Sequence, residues 1–518
     1  MYINLKEEEK LKKNLHLKYK GIKKILLNKK LKQLNNFIIT SNRNYIDNIK
    51  MNSIDGIILD DIQRKVIFSE EENTLVLAGA GSGKSLTILA RIVYLVNNGV
   101  LPEDILVLSF TNASSDSLTK KLKQIGIDLK VLTFHKLGIK ILKNKGYKFS
   151  IINDNILDNM VNNSIDLNSV KGIIDIEFAG DDTENFIKDN MFKNSDYFFY
   201  LKQTIITFIN LFKSKNYSPN MFNSFYNKNS YEKNKYIRKR NKKYLDLIKD
   251  IYDKYENYLV SNNKIDFNDM INKAIDNVDL SYKYVIVDEY QDTSFSKFCL
   301  LKKIKENTNA KVMVVGDDWQ SIYRFTGTDL SVFTEFEKHF KYTKVFKLSN
   351  TYRNSNELLR ITSKFIMKNK NQYSKNLVSN KYLKNPIYIV YYDNQTKKLT
   401  DVLKKINKPY FILGRNNNDI KIVPKKYQKN FMTIHKSKGL EIDISVIINL
   451  EDSPLGFPNK IINDSILKYV SVHDTFPYEE ERRLFYVALT RTKSYNILLV
   501  NKKKPSMFVK EIIKYMKN

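Results

Sequence analysis

The run Ala78-Gly-Ala-Gly-Ser-Gly-Lys-Ser85 decides how this chain is read. Ahead of it, Asn73-Thr-Leu-Val-Leu77 is apolar and β-prone; behind it, Leu86 to Val96 is apolar at helical spacing. The glycines therefore fall on a strand-to-helix turn. Gly79, Gly81 and Gly83 let backbone N–H groups converge on an anion without Cβ clashes, and the next helix directs its positive end at the same point. The expected ligand is a nucleoside triphosphate. Ala78, Gly79, Ala80, Gly81, Ser82 and Gly83 form its cradle, Lys84 reaches the β- and γ-phosphates, and Ser85 holds Mg²⁺. Ala78 stands where the general pattern has Gly, which is tolerable if its φ is ordinary. The helix carries Arg91 two turns further on, and this residue is added to the nucleotide-binding set.

Composition bounds the partners. The chain has 518 residues, 42% of them hydrophobic, so two to four cored domains are expected. A formal net charge of +31 points to a polyanion, most simply nucleic acid. Lys, Asn, Ile and Tyr are abundant together, however, and an AT-rich codon bias would scatter lysine equally well. Charge alone does not decide. A single cysteine, Cys299, excludes a disulfide framework or thiolate metal site and fits a reducing compartment. The five histidines lack zinc spacing. No apolar run reaches membrane-spanning length, and Glu7, Glu8 and Glu9 do not suit a signal or transit peptide. A cytoplasmic protein with no membrane partner is the expectation.

Residues 1–54 read as a Lys-rich helical extension, with Leu11, Leu15, Ile22, Leu26 and Leu27 at helical spacings. It suits a basic arm on nucleic acid, a small accessory domain, or a solvated extension packed on its neighbour. From Leu59 strands and helices alternate. Strands are expected at Leu75–Leu77, Ile105–Ser109, Lys130–Thr133, Tyr284–Val287 and Lys311–Val315. The fold class is α/β, a doubly wound parallel sheet with its ligand loops at the strand carboxyl ends. This first domain takes 55–146 and 265–344. Residues 147–264 break the alternation and read as a helical insertion. A second α/β set runs over 345–518, with strands at Ile387–Val390, Tyr410–Leu413, Phe431–Ile434, Ser445–Asn449 and Ile497–Val500.

Two further stretches carry chemistry. Val285-Ile-Val-Asp-Glu-Tyr-Gln-Asp-Thr293 is an apolar strand ending in Asp288 and Glu289. A strand-end Asp beside a phosphate loop orders Mg²⁺, and the adjacent Glu can accept a proton from the attacking water. In Val314-Val-Gly-Asp-Asp-Trp-Gln-Ser-Ile-Tyr-Arg-Phe325 a strand ends in Gly316 and then presents Asp317, Gln320, Tyr323 and Phe325. A Gln amide beside the γ-phosphate can sense hydrolysis, while neighbouring aromatics stack bases.

Taken in order, these motifs make the chain resemble the superfamily-one helicases of the UvrD/Rep group, and within it the helicase IV type. The likeness runs from Leu59 to about Lys510. Gln63, in Leu59-Asp-Asp-Ile-Gln-Arg-Lys-Val66, matches the adenine-reading glutamine. Phe110-Thr-Asn112 and Thr133-Phe-His135 match the motifs on single-stranded DNA. Asp266-Phe267 matches the re-entry into the first motor domain. In Thr351-Tyr-Arg353, Tyr352 matches the adenine-stacking residue and Arg353 a γ-phosphate contact. His435-Lys-Ser-Lys-Gly-Leu-Glu441 and Glu480 to Arg491 match the last two motifs, with Glu441 near the ribose and Arg491 as the arginine finger. The helicase IV likeness rests on Gly316 to Phe325, Gly456-Phe-Pro458 and Asn501 to Ile512.

The resemblance implies two RecA-like motor domains, with Lys84 and Glu289 on the first sheet and Arg353 and Arg491 on the second. It implies ATP and Mg²⁺ as cofactors. DNA contacts are expected from Phe110, Thr111, Asn112, Phe134, His135, Tyr323, Phe325 and His435; Phe110 and Phe134 read equally well as core. Little chain lies between Arg353 and His435 beyond what the second sheet needs, so the group's large regulatory insertion is expected to be absent or vestigial. Little follows Arg491, so no appended nuclease is expected. The implied activity is a monomeric, ATP-dependent, 3′-to-5′ translocase and helicase on single-stranded and tailed duplex DNA. Two alternatives stand beside it: a translocase that unwinds poorly without a protein partner, and an ATP-switched DNA-binding scaffold.

Overall fold

A computed structural model describes residues 2–18, 24–54, 56–152, 155–177, 192–461, 464–471 and 475–517. The run before the phosphate loop forms strand β1 (Asn73–Ala78). Its residues bury both faces: Leu75 and Leu77 enter one hydrophobic core, Val76 and Ala78 the other. A strand apolar on both sides belongs inside a sheet covered by helices on each face. The remaining strands of this sheet are β2 (Ile105–Ser109), β3 (Leu132–Thr133), β4 (Tyr284–Val287), β5 (Lys311–Gly316) and β6 (Thr343–Leu348). They pair in parallel in the order β6-β1-β5-β4-β2-β3.

Strand β6 corrects the expected boundary at residue 345. Thr343–Leu348 pairs parallel with β1, Val345 opposite Leu75, so it closes the edge of the first sheet. The second sheet contains β7 (Ile387–Tyr392), β8 (Tyr410–Gly414), β9 (Phe431–Thr433), β10 (Ile442–Leu450) and β11 (Thr492–Asn501), in the order β7-β11-β10-β8-β9 and again all parallel. The elements of residues 354–434 serve this second domain: helix Asn356–Ile366 packs in one of its cores and helix Gln395–Leu403 in the other. No separate domain interrupts that stretch.

Residues 155–177 and 192–261 form helices around an aromatic core that includes Phe208, Phe212, Phe222, Phe225 and Tyr252. That core is completed from far along the chain. Ile466, Leu467, Tyr469 and Val470, which lie between β10 and β11, are buried within it. Asp464, its side chain fully buried, pairs with Arg240, whose Nη1 lies 3.0 Å from Oδ1; Arg240 also pairs with Glu177, and Tyr200 donates to Asp464 at 2.8 Å. The helical domain is thus buttoned to the second motor domain, and its expected limits of 147–264 omit this segment. Removing one partner of a buried ion pair leaves the other uncompensated. Arg240→Met is therefore expected to lower stability by roughly 3–5 kcal/mol in denaturant unfolding. An unchanged midpoint would show that the button is not structural.

The amino-terminal extension forms helices Leu5–Lys18 and Lys24–Asp47; Ile22 lies outside the described residues. It docks beside the start of β1, where buried Glu71 accepts hydrogen bonds from the Tyr2 hydroxyl and the Leu5 N–H. That is the end of the sheet opposite the phosphate loop, so the extension is packed on its neighbour. None of the helices among the described residues is long and apolar enough to cross a membrane.

Candidate nucleotide and nucleic-acid site

The phosphate loop leaves β1 at Ala78, which is a strand residue of ordinary φ, so no glycine is needed there. Gly81 and Gly83 do need to be glycine, with φ of +73° and +81°. A Cβ on Gly81 would also lie 2.5 Å from the Arg353 Cβ. Helix Lys84–Asn97 begins at Gly83 with no side chain capping it, so its first-turn N–H groups remain available to an anion. Lys84 Nζ lies 3.6 Å from Glu289 Oε1, and Ser85 is exposed on the first turn. Ser82 donates to the Gly79 carbonyl and shapes the loop.

Arg91 does not join this site. Two turns of helix carry it about 10 Å along the axis. There it is buried, donates to the Ile67 carbonyl at 2.5 Å, pairs with Glu70 and lies over the rings of Tyr94 and Tyr284. Its role is packing.

At the end of β4, Asp288 and Glu289 sit side by side. Glu289 has φ +50°, a left-handed conformation that costs a non-glycine residue about 1 kcal/mol or more. Its carboxylate is fixed by Lys84 and by the Gln291 amide, 2.6 Å from Oε2. Burial would push Glu289 up, but Lys84, Lys438, the Gln291 amide and Arg491 outweigh it and hold the group at about 2. Burial and the neighbouring Glu289 charge push Asp288 the other way, to about 7. Two adjacent carboxylates of which one resists ionisation form a site that gains from an added cation.

The residues that bridge the two sheets converge on Gln320. Its Nε2 donates to Asp317 Oδ2 at 2.5 Å, and its Oε1 accepts from Arg491 Nη2 at 2.8 Å. Its carbonyl accepts from Lys438 at 2.7 Å, and Lys438 also pairs with Asp292. Arg491 stands where helix Glu479–Leu489 runs into β11, and it is 1% exposed. Its other partners are the Val487 and Leu440 carbonyls and the Thr490 hydroxyl. No carboxylate pairs with it among the described residues. Burial and the Arg353 cation push its guanidinium down to about 9. A buried arginine with no anionic partner is arranged for an anion that arrives with a ligand.

Arg353 is not on the second sheet as expected. It lies on the connection between β6 and helix Asn356–Ile366, directly against the phosphate loop. Thr351 donates to the Ala80 carbonyl at 2.7 Å and the Tyr352 N–H to the Gly81 carbonyl at 2.9 Å. Arg353 Nε binds Glu441 at 3.0 Å, and Glu441 also pairs with Lys493 at 2.7 Å.

The other end of the loop has the shape of a base site. Gln63 is fully buried on helix Asp61–Ile67, its Oε1 accepting the Asp60 N–H at 3.0 Å, while its Nε2 has no partner. That amide lies 2.7 Å from where a Gly83 Cβ would be. Tyr352, half exposed, is fixed beside it through its hydroxyl on Asp60. An orphaned amide donor next to an open ring face suits an adenine edge and face. Gln63→Ala is expected to raise the KM for ATP about tenfold and to erode the preference for ATP over GTP. An unchanged ATP-to-GTP ratio would remove Gln63 from the base site.

A row of rings lies beside these motifs. Phe110 stacks on Tyr323 at 5.4 Å and 18°, with Lys297 over Phe110 and Lys438 over Tyr323. Tyr323 donates to the His435 carbonyl, and Phe325, 60% exposed, meets the His435 ring edge-on at 5.5 Å. His135 packs edge-on against exposed Phe267. Burial and nearby cations hold both histidines near 4, hence neutral. Burial lowers Lys297 to about 8. Thr111 and Asn112 are exposed at a helix start that Thr111 caps. Phe134 is a correction: it is buried in the core of the first domain and presents no face for a base. Exposed rings among lysines are the ingredients of a single-strand platform.

The sequence alone did not single out Lys297, Asp292, Lys375, Lys438 or Asp60. Lys438, Asp292 and Asp60 had a local signal, through their places in His435 to Glu441, Val285 to Thr293 and Leu59 to Val66; Lys297 and Lys375 had none.

The chain is similar to known proteins over most of its length. The family model for the UvrD/REP helicase N-terminal domain matches residues 59–341, and that for the viral superfamily 1 RNA helicase core domain matches 252–499. DNA helicase IV of Escherichia coli (strain K12) is 28% identical over 490 residues, covering 88% of this chain and 70% of that protein. ATP-dependent DNA helicase PcrA of Bacillus subtilis (strain 168) is 28% identical over 398 residues, 73% of this chain and 48% of PcrA. ATP-dependent DNA helicase Rep of Buchnera aphidicola subsp. Schizaphis graminum is 28% identical over 419 residues, 73% of this chain and 58% of Rep. The chain thus spans about half the length of PcrA and Rep and more of helicase IV. With a phosphate loop, an acidic strand end and a buried arginine from a second parallel sheet all in family order, the chain belongs to the UvrD/REP helicase family.

Proposed function

We propose that the chain is an ATP-driven translocase on single-stranded DNA that unwinds tailed duplexes with 3′-to-5′ polarity. The observation that carries this reading is Arg491: a buried cation without a carboxylate partner, held by Gln320 of the first domain while rooted in the second sheet. A γ-phosphate between them would supply the missing anion. Closure of the two domains then depends on that phosphate, and its loss reopens them. A strand lying on Phe110, Tyr323, Phe325 and His435 is gripped by residues of both domains, so opening and closing becomes stepping.

In this reading Gln63 and Tyr352 hold the base, the loop N–H groups and Lys84 hold the phosphates, and Glu289 accepts the proton of the attacking water. Arg353 and Arg491 stabilise the charge that develops on the transferred group. Mg²⁺ fits Ser85 and Asp288, since both offer hard oxygen donors. No cluster of three or more metal-ligating His, Cys, Asp or Glu side chains occurs among the described residues. The nucleotide phosphates and water would therefore complete the shell. Monomeric action and a cytoplasmic location belong to the same proposal.

A second reading has one observation in its favour. Residues 354–434 build the second motor domain and a strap that lies on the first, and no additional domain there engages a duplex. A translocase that unwinds poorly until a protein partner activates it fits that economy. Strand displacement on duplexes with a 3′ or a 5′ tail separates the two. Displacement of the 3′-tailed substrate alone is expected. Translocation without displacement favours the partner-dependent reading, and displacement from the 5′ tail alone overturns the polarity.

A further inference from the structure

Lys375 is a buried cation to which none of the motifs assigns a role. Its side chain is 3% exposed, in the stretch between helix Asn356–Ile366 and β7. Nζ reaches Asp317 Oδ1 at 2.5 Å, Asp318 Oδ1 at 2.6 Å and the Ala78 carbonyl at 3.1 Å. It also lies 4.9 Å from the centre of the Trp319 ring. The same stretch brings the Leu377 methyls to within 2.7 Å of where a Gly79 Cβ would be, and exchanges backbone hydrogen bonds with Ser349 and Thr351 through Val378. A strap from the second half of the chain therefore crosses the carboxyl ends of β1 and β5, behind the phosphate loop.

Burying an ammonium with two carboxylates is an expensive way to hold strands together, since apolar residues do as well. What the lysine adds is an orientation. Asp317 has one oxygen on Lys375 and the other on the Gln320 amide nitrogen. An ionised carboxylate only accepts and a guanidinium only donates. With Asp317 on one side and Arg491 on the other, Gln320 has one satisfied orientation, its nitrogen to Asp317 and its oxygen to Arg491. Without the lysine, Asp317 loses the ion pair that fixes its carboxylate against the Gln320 amide. The amide would then be free to turn over, and its nitrogen would face Arg491, donor against donor.

We infer that Lys375 is a positioning residue for ATP hydrolysis, fixing the Gln320 amide through Asp317 so that Gln320 and Arg491 engage when the cleft closes. The inference rests on the proposed ATPase reading of the cleft. Its test is a double-mutant cycle on single-strand-stimulated ATP turnover with Lys375→Met and Gln320→Ala, singly and together. Lys375→Met is expected to lower kcat about 30-fold with the KM for ATP within about threefold, and Lys375→Arg to recover part of the loss. In the Gln320→Ala background, Lys375→Met should have no further effect on kcat, because the route it acts through is gone. A role in stability alone would lower the rate equally in both backgrounds, and that result overturns the inference while leaving the ATPase reading intact. Wild-type turnover by Gln320→Ala alone would overturn the inference, whereas no ATP turnover by the unaltered protein would overturn the ATPase reading. Should Lys375→Met fail to fold, Asp317→Asn enters the same cycle with the same expectation. It keeps the shape of the side chain and replaces an acceptor with a donor.

Discussion

Glu289→Gln is expected to lower ATP turnover by about 10²–10⁴-fold while ATP and DNA binding survive. The substitution keeps the size of the side chain and removes the proton acceptor. Glu289 is the group most deliberately placed in the first domain: its backbone is left-handed, one oxygen meets Lys84 and the other the Gln291 amide. Held at about 2, it is ionised at any working pH but is a weak base as it stands. Lys84 is the largest influence opposing its burial, and nucleotide phosphates would compete for that ammonium. On the proposed reading, binding of the substrate would raise the basicity of Glu289, so the base would be strengthened only when there is something to hydrolyse. Turnover by the variant within about threefold of the unaltered protein would dismiss Glu289 as the base.

Arg491→Met should reduce turnover by about 10³-fold or more, the scale of losing an arginine finger. The feature that distinguishes function from packing is the direction of the stability change. A structural arginine with a carboxylate partner costs several kcal/mol when removed, because its partner is left charged and buried. Among the described residues Arg491 has no such partner, and methionine fills much of its volume. The nucleotide-free protein is therefore expected to unfold within about 1 kcal/mol of its original stability, since what is lost is a few hydrogen bonds. Large destabilisation together with retained turnover would reverse the assignment.

How much of this was legible in advance depended on range. The phosphate loop, the acidic strand end and the stretch around Gln320 are local patterns, and the structure places each at a strand carboxyl end. The edge strand Thr343–Leu348 was assigned to the wrong domain because two lysines and only partial burial leave it a weak apolar signal, and nothing local ties it to β1 rather than to the next domain. Arg353 moved with it, from the second sheet to the connection that lies on the loop. Phe134 looked like a platform ring but faces the core, because the helix it begins packs on the first sheet. Arg91 shares a helix with Lys84, but two turns separate them. Lys375 and the Asp464 segment had no signal: in a chain with 87 lysines and arginines one more lysine is silent, and both act across more than fifty residues of sequence.

The ring row and the nucleotide cleft meet at the segment from Gln320 to Phe325, one short stretch with Arg491 at its start and exposed Phe325 at its end. A strand on the rings would therefore be felt at the γ-phosphate side of the cleft. Steady-state ATP hydrolysis, measured with and without single-stranded DNA, tests that coupling most directly. The arrangement predicts stimulation of at least about tenfold, which corresponds to about 1.4 kcal/mol of the barrier being supplied by the strand. Equal rates with and without DNA would contradict it.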